Sequence, residues 1–411
     1  MSSTATTSNN DDRLLRVGIL GCASIAKKNA IAILQESSGC CVTAVASRTL
    51  EKANAFVHDF LAPRVLKSAA AEIVCLGGSS AYDDLVQSSV VDAVYIPLPT
   101  TLHKEWVLKA LQAGKHVLLE KPVAVSAEEF QEMIEAAKVH HKYLQDGTMF
   151  VHHPRTRDFI QTVNDTSVMG NLDNLRMEAG FSFCGDDGFF QNNVRVRKDC
   201  DLFGCLGDLA WYVLRMALLV VVGGQQDGQT GVNTSAQVVD YKLNDDGVPI
   251  DATVLVKFKE VHKTLSFHCG FQTQFRQYLH IAGTKRWAFM DDFVLPKAHP
   301  VNFKVQSMSL TEFDLVTEHP TETKEFEGPV QEVLMWQTFA RLSRAIDNTP
   351  QGWAGDTNEC QEARTLSQTS CATQQLLDAL MASIRGGGSK VMLCLMLPGF
   401  AASSNDSSEQ W

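Results

Sequence analysis

The chain has 411 residues, 45% of them hydrophobic, and a formal net charge of −11, which is enough length and apolar content for two hydrophobic cores. The acidic balance, with no long Lys/Arg tract, argues against nucleic acid or an anionic membrane as a partner, because the summed field repels both. Eleven Cys residues without a C-x-x-C pair point to reduced, mostly buried thiols in a cytoplasmic setting and away from a disulfide framework.

The first residues are rich in Ser, Thr, Asn and Asp and show neither the apolar core of a signal peptide nor the Arg-rich pattern of a transit peptide. A disordered tail is expected over residues 1–13. From residue 16 to 145 short β-branched runs (17–21, 42–46, 73–76, 93–96, 117–119) alternate with helical patterns (27–34, 51–60, 104–113). That alternation predicts βαβ units and a parallel sheet covered on both faces. Ser126 and Glu129 have the capping-box spacing for a helix reaching about His140. After Gln145 the texture changes: residues 254–258, 265–269 and 279–282 alternate apolar and polar, the mark of an antiparallel meander with one buried face. Two later helices, 331–347 and 360–384, are expected to cover that meander, and the Gly/Gln-rich stretch 223–234 to form a surface loop. The apolar runs 213–224 and 391–402 fall short of the roughly 20 residues a membrane helix needs.

Between the first strand and the first helix stands Gly21-Cys-Ala-Ser-Ile-Ala26, where a dinucleotide-binding turn needs small residues to bend tightly and let a pyrophosphate approach the backbone. Ala23 and Ala26 replace two of the three glycines, so the string alone also fits an ordinary βα turn. The second strand ends at Ser47-Arg48, about 20 residues further on, where a carboxylate would grip the ribose 2′-hydroxyl of NAD. A guanidinium suits a 2′-phosphate instead, through charge-assisted bonds, so NADP is expected in preference to NAD. The other reading of Arg48 is a solvated charge at a helix cap.

Three further strings carry a resemblance: Pro97-Leu-Pro-Thr-Thr-Leu-His103, Gly114-Lys-His-Val-Leu-Leu-Glu120-Lys121-Pro122, and Gly207-Asp208-Leu-Ala-Trp-Tyr212. Together with the Gly21 turn, in this order and spacing, they closely resemble the Gfo/Idh/MocA oxidoreductases, and more distantly their dihydrodiol and NADP-dependent xylose dehydrogenases, over nearly the whole chain. The resemblance implies an α/β protein: a Rossmann domain over 14–148, a substrate-binding domain with a large, mostly antiparallel sheet over 149–398, and a disordered tail over 399–411. It also implies a cofactor site drawn from Gly21, Ala23, Ser24, Ile25, Ser47, Arg48, Pro97, Leu98, His103, Glu120 and Lys121. A homodimer through the second-domain sheet is a further expectation from the resemblance.

Hydride transfer at an alcohol carbon requires a group that removes or returns the hydroxyl proton and a positive neighbour for the developing alkoxide. Lys121 directly follows a parallel strand, and the resemblance makes it the Glu-Lys-Pro lysine that faces nicotinamide and substrate. Tyr212 stands where many members of the family carry His. A phenol serves as a base near neutrality only if its pKa falls, which a nearby ammonium favours. Tyr212 is therefore expected to accept and donate the proton, Lys121 to be its electrostatic partner, and Asp208 to orient Lys121 or a substrate hydroxyl. The other reading makes Asp208 a helix cap and Tyr212 core. His103 lies near the cofactor or is an exposed helix-start residue. His152, Arg155 and Trp211 are candidates for substrate contact, with a structural role equally open for the first two. The pairs His140-His141 and His152-His153 point apart and lack other ligands at metal-binding spacing, so no metal is expected. The substrate expected is a sugar, polyol or cyclic diol. Two alternatives remain open on sequence alone: an NAD-retaining glycoside hydrolase of the same fold, and a non-catalytic NADP-binding protein.

Overall fold

The computed structural model describes residues 13–64, 73–224, 231–297, 299–310 and 316–398. The expected tails, apart from Arg13, lie outside these residues. The chain divides into two units, one of Met1–Val123, Glu128–His153 and Pro329–Ser367, the other of Ala124–Ala127, Pro154–Gly328 and Gln368–Trp411.

In the first unit, strands β1 (Leu15–Leu20), β2 (Cys40–Ser47), β3 (Val74–Gly77), β4 (Ala93–Ile96), β5 (His116–Leu119) and β6 (Leu144–Asp146) form one sheet in the order β3-β2-β1-β4-β5-β6. Every neighbouring pair is parallel. β4 and β5 are buried at every position, as continuous apolar runs must be when helices cover both faces. The strand order reverses between β1 and β4, and open α/β sheets bind ligands outside the carboxyl ends of the strands at such a point. Gly21 follows β1 there, and Pro97 follows β4.

Its place in the sequence suggested that the helix Gln331–Asn348 covers the antiparallel meander. It belongs to the first unit and buries Val333, Met335, Trp336, Phe339 and Leu342, with the Trp336 ring edge-on to Tyr95 at 5.6 Å. An amphipathic period states that a helix has an apolar face; it does not state which sheet receives that face.

The second unit holds β7 (Arg176–Cys184), β8 (Gly231–Leu243), β9 (Pro249–Phe258), β10 (Lys263–Gly270), β11 (Gln272–Ala282), β12 (Trp287–Met290), β13 (Val301–Gln306), the two-stranded ribbon β14 (Met308–Leu310) and β15 (Val316–Glu318), β16 (Glu322–Phe326) and β17 (Val391–Met396). The nine-stranded sheet runs β16-β13-β12-β11-β7-β10-β9-β8-β17. Only the β7–β10 pair is parallel; the other neighbours are antiparallel. β8 begins inside the stretch read as a surface loop, whose residues 225–230 lie outside the described ones. The helical stretch Leu206–Gly223 is long and apolar enough to cross a membrane, but 89% of it is buried, which is the pattern of a helix that is apolar all round because it lies in a core.

All eleven thiols are free, and the expectation that most are buried fails: Cys40, Cys205, Cys269 and Cys360 are buried, while the others are partly or fully exposed. Strand-edge and loop positions tolerate a small thiol as readily as the core does.

Candidate active site

The candidate residues form one cluster in each unit. In the first, Gly21 turns the chain out of β1 with φ of 102°, and its N–H donates to the Ala46 carbonyl at 2.8 Å. Left-handed backbone of this kind favours glycine. Ala23 is the N-cap of the helix Ser24–Ile33 and has no side chain with which to cap it, so the terminal amides around Ser24 and Ile25 are left to an external acceptor. The turn therefore fits a pyrophosphate, with Ala23 and Ala26 standing in for glycine.

Buried Ser47 ends β2, and exposed Arg48 follows it. A Cβ on Gly77, the last residue of β3, would lie 2.1 Å from the Leu50 nitrogen. Only glycine lets the segment after Arg48 cross the end of β3. The sequence reading missed Tyr82, whose hydroxyl lies 3.6 Å from the position a Cβ on Gly21 would take. Burial raises the pKa of its phenol, against which the Arg48 charge acts, so Arg48 and Tyr82 face the same corner of the turn. The signal, one Tyr in an amphipathic helix, was indistinguishable from packing; indeed its ring rests edge-on against Trp106 at 5.2 Å.

Pro97 is buried and Leu98 half-buried after β4. His103 departs from the reading as an exposed residue and offers no free ring edge to a cofactor. It is 1% exposed, with Nε2 2.9 Å from the Leu98 carbonyl and Nδ1 3.2 Å from the Val123 carbonyl. Burial pulls its pKa down to about 4. As a neutral imidazole it donates its single N–H to one of these two carbonyls and packs against the other, between the loop after β4 and the segment after Pro122. Glu120, also buried, accepts the Tyr95 hydroxyl on Oε1 at 2.6 Å and the Lys121 backbone N–H on Oε2 at 3.3 Å. Lys121 follows the carboxyl end of β5, is partly exposed, and joins Pro122 through a cis peptide bond. His152 closes a short 3-10 turn, Met149–His152, in the same unit and is partly exposed.

In the second unit a π-helical turn, Leu206–Ala210, runs into the helix Trp211–Gly223. Asp208 and Tyr212 sit on these consecutive turns, 7% and 9% exposed, and the Tyr212 ring lies tilted against Phe181 at 6.0 Å. Asp208 Oδ1 is 2.8 Å from Nε of Arg195, a residue the sequence reading did not consider. The Asp208 charge raises the pKa of Arg195, and Tyr212 acts in the same direction. Arg195 lies in Val194-Arg-Val-Arg-Lys198, where nothing separates it from solvated surface charge.

Two substrate candidates are corrected. Trp211 is fully buried and packs as core, since it falls on the inward face of an apolar helix. Arg155 is 2% exposed. Its Nη1 pairs with Asp292 Oδ1 at 2.7 Å and meets the Asn302 carbonyl at 3.2 Å, while Nη2 meets the Asp292 carbonyl at 3.2 Å. Such a guanidinium clamps a helix to a loop and to strand β13 and is not presented to a ligand.

Residues 15–148 match the oxidoreductase family with an NAD-binding Rossmann fold, GFO_IDH_MocA. The dTDP-3,4-didehydro-2,6-dideoxy-alpha-D-glucose 3-reductase of Streptomyces violaceoruber is 35% identical over 210 residues, covering 51% of this chain and 55% of that enzyme. The D-xylose 1-dehydrogenase (NADP(+)) 2 of Haloferax volcanii is 32% identical over 227 residues, covering 55% and 63%. The chain thus spans little more than half the length of these relatives. Among solved structures, KijD10, a 3-ketoreductase from Actinomadura kijaniata in complex with NADP and TDP-benzene, superposes with a TM-score of 0.69 at 23% identity, over 90% of this chain and 98% of that one, which shows a shared fold. Over residues 15–148 the chain thus resembles the NAD-binding domain of the Gfo/Idh/MocA oxidoreductases.

Proposed function

We propose that the chain is an NADP-dependent oxidoreductase acting at a hydroxyl-bearing or carbonyl carbon of a sugar, polyol or cyclic diol. The observation that carries this reading is the set of groups at the carboxyl ends of strands of the first sheet: the uncapped Gly21 turn after β1, exposed Arg48 after β2, and Glu120-Lys121 after β5. Relatives named as a sugar 3-reductase and an NADP(+)-dependent xylose dehydrogenase support it.

Nicotinamide, when bound, supplies or takes up the hydride. The Gly21 turn holds the pyrophosphate on backbone amides, and the Arg48 guanidinium selects the 2′-phosphate. Lys121 brings positive charge to the substrate oxygen and favours its alkoxide. Tyr212 exchanges the hydroxyl proton, and Asp208, held by Arg195, orients the polar groups around it. The Arg195 charge favours Tyr212 phenolate, which is the direction a base near neutrality requires.

The test is an equilibrium titration of the purified protein with NADPH and NADH, followed by nicotinamide fluorescence. NADPH is expected to bind about 10- to 100-fold more tightly, the value of one charge-assisted bond, and Arg48→Ala should abolish that preference. Equal or preferential binding of NADH would overturn the NADP assignment.

A further inference from the structure

We propose that Asn29, Tyr95 and Trp336 are positioning residues that act through Glu120 on Lys121, tying that lysine to the helix that opens at the phosphate turn. The Trp336 Nε1–H donates to Asn29 Oδ1 at 3.0 Å, Asn29 Nδ2 donates to the Tyr95 oxygen at 2.8 Å, and the Tyr95 hydroxyl donates to Glu120 Oε1 at 2.6 Å. Glu120 Oε2 then takes the Lys121 backbone N–H. All four side chains are buried, with Trp336 and Tyr95 fully so.

The direction of this chain is forced. An indole N–H can only donate, so the Asn29 oxygen must face it and the Asn29 amide nitrogen must face Tyr95. The Tyr95 oxygen accepts that bond, and its single hydrogen goes to the carboxylate. Every donor points toward Glu120, an arrangement in which each bond polarises the next, and the 2.6 Å contact is in the range of a hydroxyl bonded to an ionised carboxylate. Glu120 is thereby held as an anion in one orientation. A Cβ on Gly147 would come within 3.2 Å of Glu120 Oε1, so this glycine makes room for that orientation.

Two consequences follow for Lys121. The position of the Glu120 carboxylate sets the backbone from which the lysine projects. Because Asn29 lies on the helix Ser24–Ile33, any shift of that helix on occupation of the turn reaches Lys121 through three hydrogen bonds. The helix Gln331–Asn348, remote in sequence, supplies the first donor.

The effect on turnover rests on the oxidoreductase reading; the effect on Lys121 itself does not. The experiment therefore reads the lysine first. The full chain and its Tyr95→Phe and Trp336→Phe variants are labelled with acetic anhydride without nucleotide, and acetylation of Lys121 is compared by peptide mass spectrometry with that of surface Lys138 in the same molecule. Each variant that retains the native circular dichroism spectrum is expected to change the Lys121-to-Lys138 ratio by about fivefold, the effect of one broken buried hydrogen bond. An unchanged ratio in a folded variant overturns the proposal. Should Tyr95→Phe not fold, Trp336→Phe, which removes the terminal donor together with part of the ring packed against Tyr95, decides alone. If the protein turns over a sugar or diol with NADPH, the same variants should lower kcat and leave NADPH affinity within about twofold; loss of affinity with unchanged kcat also overturns it. A changed labelling ratio in a protein that binds no nicotinamide nucleotide would sustain the positioning network and reject the oxidoreductase reading.

Discussion

The two clusters are built in opposite ways. At the strand ends of the first unit the candidate groups stand on loops, and backbone features set their places: the left-handed Gly21 and the Gly77 that lets the chain cross β3. Around Tyr212 the groups are side chains of a buried helix start, held by a partner from another loop, Arg195. A backbone-determined site leaves its mark in short strings of residues. A site made by side chains meeting across a core leaves almost none, since Arg195 and Arg155 look alike in sequence as surface charges, yet one pairs with Asp208 and the other is a buried clamp.

The sharpest test of this contrast is Tyr212→Phe, which removes one oxygen and keeps the ring against Phe181. Turnover should fall by about 100- to 10,000-fold, the usual range for a general acid–base group, with thermal unfolding little changed. Turnover within a few-fold of the parent would return Tyr212 to a core role. Arg155→Met should do the reverse: stability drops by about 3–5 kcal/mol in urea denaturation, because Asp292 loses its cationic partner and keeps only the Lys297 backbone N–H. A raised KM with unchanged stability would restore Arg155 as a substrate contact.

The first unit makes a prediction in pH. His103 has a folded pKa of about 4 against 6.5 in the unfolded chain, so between those values the unfolded state holds more protons and stability rises with pH. Its contribution is complete above about pH 6.5 and fades as pH falls toward 4, by up to about 3 kcal/mol. Buried His116, whose pKa is also lowered by burial, acts in the same direction. Urea denaturation at pH 7 and pH 5 measures the loss, and His103→Gln should reduce the difference; an equal difference in that variant would remove His103 as its source. The smallest effect expected is that of Arg195→Gln. The Arg195 side chain is 41% exposed, so solvent screens the pair and a loss of about 1–2 kcal/mol is expected. The more telling readout is the pH profile of kcat, in which the pKa belonging to Tyr212 should rise when the positive charge beside it is gone, on the acidic limb for alcohol oxidation and on the basic limb for carbonyl reduction. An unmoved profile would confine Arg195 to folding.

Much of the architecture was readable before any coordinates. Alternating runs up to residue 145 specified a parallel sheet, because strands covered on both faces must be apolar throughout, and the period-two segments after residue 250 specified the antiparallel one. The places of the Gly21 turn, Arg48 and Glu120-Lys121 at strand ends were readable because strand-end loops need particular residues at particular spacings. Tyr82 and Arg195 were not, and His103, Arg155 and Trp211 were misplaced. Their surroundings come from segments far away in sequence: His103 meets Val123 and Arg155 meets Asp292.

The sequence by itself determined the order of strands and helices and the small-residue turn after β1, since these rest on local backbone and periodic burial. The tertiary structure alone decided that the helix Gln331–Asn348 joins the first unit, that Asp208 pairs with Arg195, and that Trp336, Asn29 and Tyr95 line up on Glu120. The physical reason is that a side chain's charge and donors are written at its own position, whereas burial and partners depend on which distant segments the packing of the core brings beside it.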